Sequence, residues 1–340
     1  MATLRSDIII PEVFTPYVIE QTTQRDAFLA SGVVQPMAEL NAADDGGDFI
    51  QVPFYKANLS GDFERLTDSS SLTPGKITAD KQVAAVLHRG RAFESRDLAA
   101  LAAGSDPMAA IGAKIADYIA NQRQKDLLSC LAGVFGAVDD NSSACYSALT
   151  VDGATGDTPT VLGPRQIVEG KSILGDQGEK LTAICVHPKV YYDLMERRAL
   201  DFVYDNNGAA DSDATQGSTA NAFGGVQVPT FMGMRVIVSA DVQTTGSGAS
   251  TEYATYMFTQ GAVASGEQLG LQTETDRDIL AKSDAMSIDL HYVYHPVGSK
   301  FSTSVSNPTR AQLETVGNWT KVYETNNIGI VRITNTSNLD

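Results

Sequence analysis

Four histidines (His88, His187, His291, His295), three cysteines and a surplus of carboxylates are the material from which a catalytic or metal site would be built. His291 and His295 are four apart, the spacing that pairs two ligands on a helix face. Their flanks alternate as a strand, however, which sets the two rings about 13 Å apart, too far to share one metal. Cys130, Cys145 and Cys185 are an odd set without a CxxC pair, and read as reduced thiols. Cys130 falls in a long helix and Cys185 in an apolar strand, which predicts burial rather than reactivity. The nearest approach to a phosphate loop is GPRQIVEGKS, Gly163 to Ser172. Six residues separate its glycines where four are needed to curl consecutive N–H groups around a phosphate. DNNG at Asp205 lacks the alternating acids of a calcium loop. Neither GxSxG nor HExxH occurs. No catalytic, cofactor-binding or metal-ligating residue is assigned, no cofactor is expected, and the chain does not read as an enzyme.

The totals narrow the classes further. Lys plus Arg is 25 and Asp plus Glu is 41, for a net charge of −16. A protein that wraps nucleic acid on its own surface needs a basic face, and this balance argues against one. It suits a protein whose surface should not stick to DNA held nearby. MATLRSDIIIPEV lacks the apolar run of a signal peptide, and no stretch of 18 apolar residues predicts a membrane span.

The elements that would position any site are organised around one helix, from Asp106 to about Gly133. Asp106 can cap it, Pro107 suits its first position, and Gly133 and Gly136 mark its end. Met108, Ile111, Ile115, Tyr118 and Ile119 share one side. After six polar residues, Asn121 to Asp126, the apolar set resumes as Leu127, Leu128, Leu131 and Val134, roughly opposite the first. The pattern fits a spine that changes packing partners halfway, or a core helix with an irregular stripe.

Before the spine, residues 1–46 form an extended arm broken by Pro11, Pro16 and Pro36, with a short helix expected over Tyr17–Ala30. Residues 47–92 read as a long hairpin. In its first strand Ile50, Val52 and Phe54 alternate with Phe49 and Gln51, and Pro53 marks an edge. Its return strand runs roughly from Lys81 to Phe93, with Val83, Ala85 and Leu87 on one face. The polar tip between them gives it little core, so it rests on a partner or forms a meander within one domain. Ser95–Ala103 reads as a short helix capped by Ser95.

After the spine, residues 136–160 are loop-rich. A compact α/β region follows: a helix over Pro164–Leu174, a buried strand at 181–187, a helix over Pro188–Arg198, a polar loop at 202–222, and strands at 233–242 and 253–266. From Gln268 the chain returns through LGLQTETD and SIDLHYVYHPVG, with Ile288, Leu290, Tyr292 and Tyr294 on one face. IGIVRITN (328–335) is a last strand, and Trp319 reads as packed.

Taken in order, several stretches resemble the major capsid proteins of tailed double-stranded DNA phages, the Hong Kong 97-type fold. IIIPEVFTPYVIEQTTQRDAFLASGVV is similar to their N-terminal arm, SSSLTPGKIT to their extended E-loop, and the capped long helix to the spine helix of the peripheral domain. LTAICVHPKVYYDLMER resembles the strand and helix of the axial domain. TETDRDILAKSDAMSIDLHYVYHPVG resembles the return into the peripheral domain. The likeness covers most of residues 5–300, and the residues after about 305 match poorly. It implies an α+β fold with an arm (1–46), an E-loop (47–92), a peripheral domain with the spine helix (93–135), an axial domain (136–267), and a return with a C-terminal tail (268–340).

The resemblance implies a shell protein that assembles with itself into hexamers and pentamers and closes as an icosahedral head around double-stranded DNA. It would bind that DNA without sequence specificity and would not meet a membrane. Portal and decoration or cement proteins are implied partners. Because the chain begins directly with the arm, a separate scaffolding protein is also expected. Assembly would occur in the host cytoplasm and the product would be the virion. The rival readings are an encapsulin-like nanocompartment shell, an α/β enzyme with an unrecognised site, and a surface or tail adhesin. Arm and hairpin would lie on neighbouring subunits, with flexible joints at Gly46–Gly47 and at Gly90 at the hairpin base.

Overall fold

The computed structural model describes residues 28, 31–41, 47–56, 63, 77–98, 101, 107–138, 142–152, 154–155, 158–197, 201–204, 227–248 and 251–339. Helices and largely antiparallel sheets combine in an α+β fold. Two compact units share the chain. One is built on Pro36–Val134 and Ala264–Glu324, the other on Asp26–Gln35, Phe135–Val263 and Thr325–Asp340. The expected helix over Tyr17–Ala30 lies outside the described residues except for Phe28, which is helical, buried and edge-on to Phe258 at 6.1 Å.

β1 (Val34–Pro36) stands where the chain passes from the second unit to the first, whose hairpin strands are β2 (Phe49–Tyr55) and β3 (Ala79–Ala85). They pair antiparallel, from Phe49 opposite Ala85 to Tyr55 opposite Ala79. Ile50, Val52 and Phe54 are half-buried while Gln51, Pro53 and Tyr55 are exposed, as the alternation requires. Pro53, which has no N–H to donate, lies in a strand that, among the described residues, pairs with β3 alone. The hairpin base packs on its own unit: Ile50 and Val52 rest on a buried cluster of Leu40, Ala84, Val86, Ala264 and Val293. The tip containing SSSLTPGKIT lies outside the described residues apart from Ile77 and Thr78.

The return strand does not continue to Phe93 as expected. It breaks at Val86, and β4 (Leu87–Arg96) leaves the hairpin for a second sheet. Gly90 is therefore not at the hairpin base. It stands opposite Asp289, where a Cβ would come within 2.2 Å of the Asp289 carboxylate, so it serves close packing rather than flexing. Ser95 is not a helix cap either: it is buried in β4, paired with Asp284, and the helical turn begins at Asp97.

The spine helix α1 spans Pro107–Phe135, about 44 Å at 1.5 Å per residue. Asp106 lies outside the described residues. Described residues from Ile115 to Arg123 are half-buried, whereas every residue from Asp126 to Phe135 is buried. Leu127, Leu128, Leu131 and Val134 are thus inside, but so are Ser129, Cys130 and Ala132 between them. The apolar set does not move to an opposite face; the helix runs into a core that closes around it.

The second unit contains β5 (Thr150–Asp152), α2 (Pro164–Ile173), β6 (Leu181–Val186), α3 (Pro188–Glu196), β7 (Asp201–Tyr204), β8 (Gln227–Phe231), β9 (Met234–Val238) and β10 (Glu252–Thr259). β6 pairs parallel with β9 and antiparallel with β10, and its near-continuous LTAICV is buried accordingly. GPRQIVEGKS forms α2 and its start; Gly170 lets that helix approach Met257, whose Cε would meet an added Cβ at 2.2 Å. His187 caps α3, its Nδ1 accepting from the Lys189 N–H at 3.2 Å. The polar loop expected at 202–222 begins instead as strand, since Phe202–Tyr204 belong to β7; residues 205–222 lie outside the described residues.

The chain returns through the long pair β11 (Val263–Asp278) and β12 (Ser283–Pro296), then β13 (Ser299–Phe301), the short helix α4 (Arg310–Glu314) and β14 (Trp319–Lys321). The first sheet runs β1–β11–β12–β4. The last strand, β15 (Ile330–Asn335), is no tail: it is wholly buried between β5 and β10 in an eight-stranded sheet of order β5–β15–β10–β6–β9–β8–β7, with Thr244–Thr245 paired to β10.

Gly133 was expected to end the helix. It lies inside α1, where the Trp319 indole N–H donates to the Leu313 carbonyl at 2.7 Å. A Cβ at 133 would fall 1.9 Å from that carbonyl oxygen and 2.3 Å from the indole nitrogen. Gly133→Ala is expected to destabilise the first unit by at least about 2 kcal/mol, read by chemical denaturation. His295 stacks on Trp319 at 6.3 Å and is buried, which lowers its pKa from 6.5 to about 4. Its folded pKa is depressed, so its neutral form supports folding above pH 6.5, and that contribution is lost as pH falls toward 4. His295→Gln should flatten the fall in unfolding free energy across that window.

Candidate functional site

The polar residues that interrupt α1 bring one carboxylate into the first unit's interior. Asp126 is 0% exposed. Its Oδ2 accepts from Arg89 Nε of β4 at 3.2 Å and from the Tyr292 hydroxyl of β12. Its Oδ1 accepts from Arg310 Nε at the start of α4. Arg89 also donates to the Pro308 carbonyl at 2.8 Å and to Asn307 Oδ1 at 3.3 Å, while Arg310 reaches Gln122 Oε1 at 2.6 Å. One turn earlier, Arg123 lies over the Tyr292 and Tyr294 rings, 5.1 and 5.7 Å from their centroids, and bonds Glu267 at 2.8 Å. Burial, and after it the Asp126 charge, push the Tyr292 hydroxyl above its ordinary range, so it remains a donor.

A cavity of about 350 Å³ opens beside this node, lined in part by Arg89, Arg91, Arg123 and Arg310. It offers no general base: both Asp126 oxygens are already engaged by arginines and a tyrosine. Cys130, one turn on, is buried and its thiol is pushed up by that burial. The node ties a helix, two strands and the 307–310 segment together; it is not arranged for turnover. No sequence motif announced it. The available signal was a short charged run inside an otherwise apolar helix.

The histidines also fall differently from their sequence spacing. His88 and His291 are direct partners across β4 and β12, with rings edge-to-face at 4.2 Å. His88 Nε2 is 3.6 Å from Asp48 Oδ1. This pair could not be found without the strand register.

The other distinctive region is the far end of the β11–β12 hairpin, where residues 270–282 are exposed. Its turn is held by Asp278, whose Oδ1 accepts from the N–H groups of Leu280 at 2.8 Å and Ala281 at 3.0 Å. Arg277 bonds both Asp97 and Asp284 at 2.7 Å. These bonds present Ile279 and Leu280 to solvent at 81% and 97% exposure. Two large aliphatic side chains held outward on an ordered turn forgo roughly 1.5–3 kcal/mol of burial each.

Asp126→Asn should lower the stability of the first unit by about 2–4 kcal/mol, because both arginines lose their counter-charge. The figure sits below that for a fully buried pair since the two guanidiniums keep some water. Denaturant unfolding of the unassembled subunit measures it.

Residues 14–328 match the Gp13-like family, described as major capsid protein 13-like. The major capsid protein of Bacillus phage SPP1 is 35% identical over 336 residues, covering 96% of each chain. Among solved structures, the cyanophage Pam1 capsid asymmetric unit aligns with a TM-score of 0.61 over 94% of each chain, at 11% identity. The capsid of Ralstonia phage GP4 aligns with a TM-score of 0.55 over 93% of this chain and 89% of that one, at 10% identity. The structural likenesses establish a phage capsid fold, and the sequence matches go further: this chain belongs to the Gp13-like family of phage major capsid proteins, structural proteins of the virion that assemble with their own copies, and not to an enzyme family.

Proposed function

We propose that this subunit forms hexamers and pentamers that close as an icosahedral head around double-stranded DNA. The observation that carries this reading is the pair of outward hairpins on one pinned frame. The outer part of β11–β12 displays Ile279 and Leu280, and β2–β3 has a packed base, an exposed Tyr55 and a long intervening segment. In this reading the first unit is the peripheral domain and the second the axial domain. The segment between β2 and β3, with the arm before Phe28, lies on neighbouring subunits and adds strand-edge contacts. Interfaces of this obligate kind bury on the order of 2,000–5,000 Å².

One chain makes both ring types through small backbone changes. Gly47 is the joint: its φ is +115° and an added Cβ would meet nothing within 4 Å. The net charge of −16 keeps packaged DNA from adhering and supports contact without sequence readout. Assembly takes place in the host cytoplasm on a separate scaffolding protein, with a portal at one vertex and decoration or cement proteins outside.

Two variants test the assembly reading. Replacing Ile279 and Leu280 by Asp should leave the folded subunit intact by circular dichroism while sharply lowering the yield of closed shells in sedimentation. Cutting residues 58–75 to a short turn should likewise give a soluble subunit that builds no shells. Normal shells from both would sink the proposal.

A further inference from the structure

The middle of the second unit's sheet carries a charge that the assembly reading does not use. Arg332 stands in β15 directly opposite Thr150 of β5 and Tyr256 of β10. Residues paired across a ladder share a face, so these three side chains form one row. Arg332 is 0% exposed and Tyr256 1%. The guanidinium donates once, from Nη1 to the Gly136 carbonyl at 2.8 Å, and lies 5.5 Å from the Phe135 ring centroid. Tyr256 faces the guanidinium and interacts with it, but among the described residues Arg332 Nε and Nη2, the Tyr256 hydroxyl and the Thr150 hydroxyl make no well-formed hydrogen bond. Among the described residues, no carboxylate forms an ion pair with it.

Four buried polar atoms on one short row that lack a well-formed bond, with a charge among them that no carboxylate answers, are not scattered defects. A guanidinium keeps its proton under any ordinary condition. An unpaired ionised group away from water is among the costliest features a fold can carry. The unmet atoms are also of one kind. The Nε and Nη2 edge is the fork that binds an anion in bidentate fashion. The two hydroxyls can both turn a hydrogen toward the same point. Burial raises the Tyr256 pKa to about 12, which keeps that hydroxyl a donor. A water molecule would accept these bonds but leave the charge standing; an anion answers both.

We propose that the second unit holds one small monovalent anion of halide size, chloride in physiological salt, against the Nε/Nη2 edge of Arg332 and the hydroxyls of Tyr256 and Thr150. Phe135, in ring contact with both Tyr146 and Tyr256, makes the surroundings aromatic, which favours a weakly hydrated monovalent ion over a strongly hydrated one. The ion is an internal counter-charge that sets the stability of the sheet in which β15 is buried.

The full-length unassembled subunit tests this. Its thermal unfolding is followed in potassium chloride, bromide, fluoride and gluconate at equal ionic strength. The midpoint should rise with the logarithm of chloride or bromide concentration, by about 3 °C for each tenfold step above the dissociation constant, and stay flat in fluoride and gluconate. Thr150→Val should fold normally and shift the chloride dependence to higher concentration, and Arg332→Met should abolish it. Crystals soaked in bromide should show an anomalous peak within hydrogen-bond reach of Arg332 Nε. If Arg332→Met does not fold, the wild-type salt series, Thr150→Val and the bromide peak still decide. Equal midpoints in all four salts, a halide dependence unchanged in Thr150→Val, or a water at the fork with no bromide peak would each overturn the proposal.

Discussion

Asp126 is the constraint on which the first unit depends. A carboxylate in the middle of a long helix, fully withdrawn from water, is tolerable only if its charge is answered on every side. Here the answers come from β4, β12 and the start of α4. Satisfying one residue therefore fixes where the helix crosses the sheet and where the 307–310 segment lies. An apolar core alone would hold the helix but leave its rotation and slide less defined; the arginine fork and the tyrosine hydroxyl add direction. Beyond Asp126 the helix is enclosed, down to Gly133, where even a methyl group has no space.

A frame pinned in this way suits a protein whose work is mechanical. The hairpins gain little stability from their outer parts, since the distal residues of β11 and β12 are exposed and, among the described residues, β2 pairs with one neighbour only. Their value lies in what they reach. The ordered turn at Asp278 is held by hydrogen bonds and ion pairs while Ile279 and Leu280 stand in water, which is the basis for proposing it as an assembly contact. In the proposed assembly, further copies of the same chain supply that surface.

Much of the fold was legible in the sequence because burial leaves periodic traces. The spine helix, the edge strand with Pro53, LTAICV and the α3 helix were all readable from spacing and from helix-start signals. What failed did so for local reasons. Ser95 has the chemistry of a cap, but its pairing with Asp284 in β4 overrode that preference. Gly133 and Gly90 have the chemistry of breaks or joints, yet both mark close approach between distant segments, which composition does not reveal. Ile330–Asn335 was recognisable as a strand, but its place between β5 and β10 depends on long-range pairing. The Asp126 node was hidden for the same reason: its partners lie 37, 166 and 184 residues away in the chain. Function was legible mainly through the ordered resemblance of many weak stretches, since a shell protein has no catalytic constellation to announce it.

The most direct measurement of the central claim is particle size. The purified protein would be examined by negative-stain microscopy and sedimentation, with and without a co-expressed scaffolding protein. The account predicts closed round shells, or stable six- and five-membered rings, in at least one condition. A discrete monomer or dimer under every condition would contradict it.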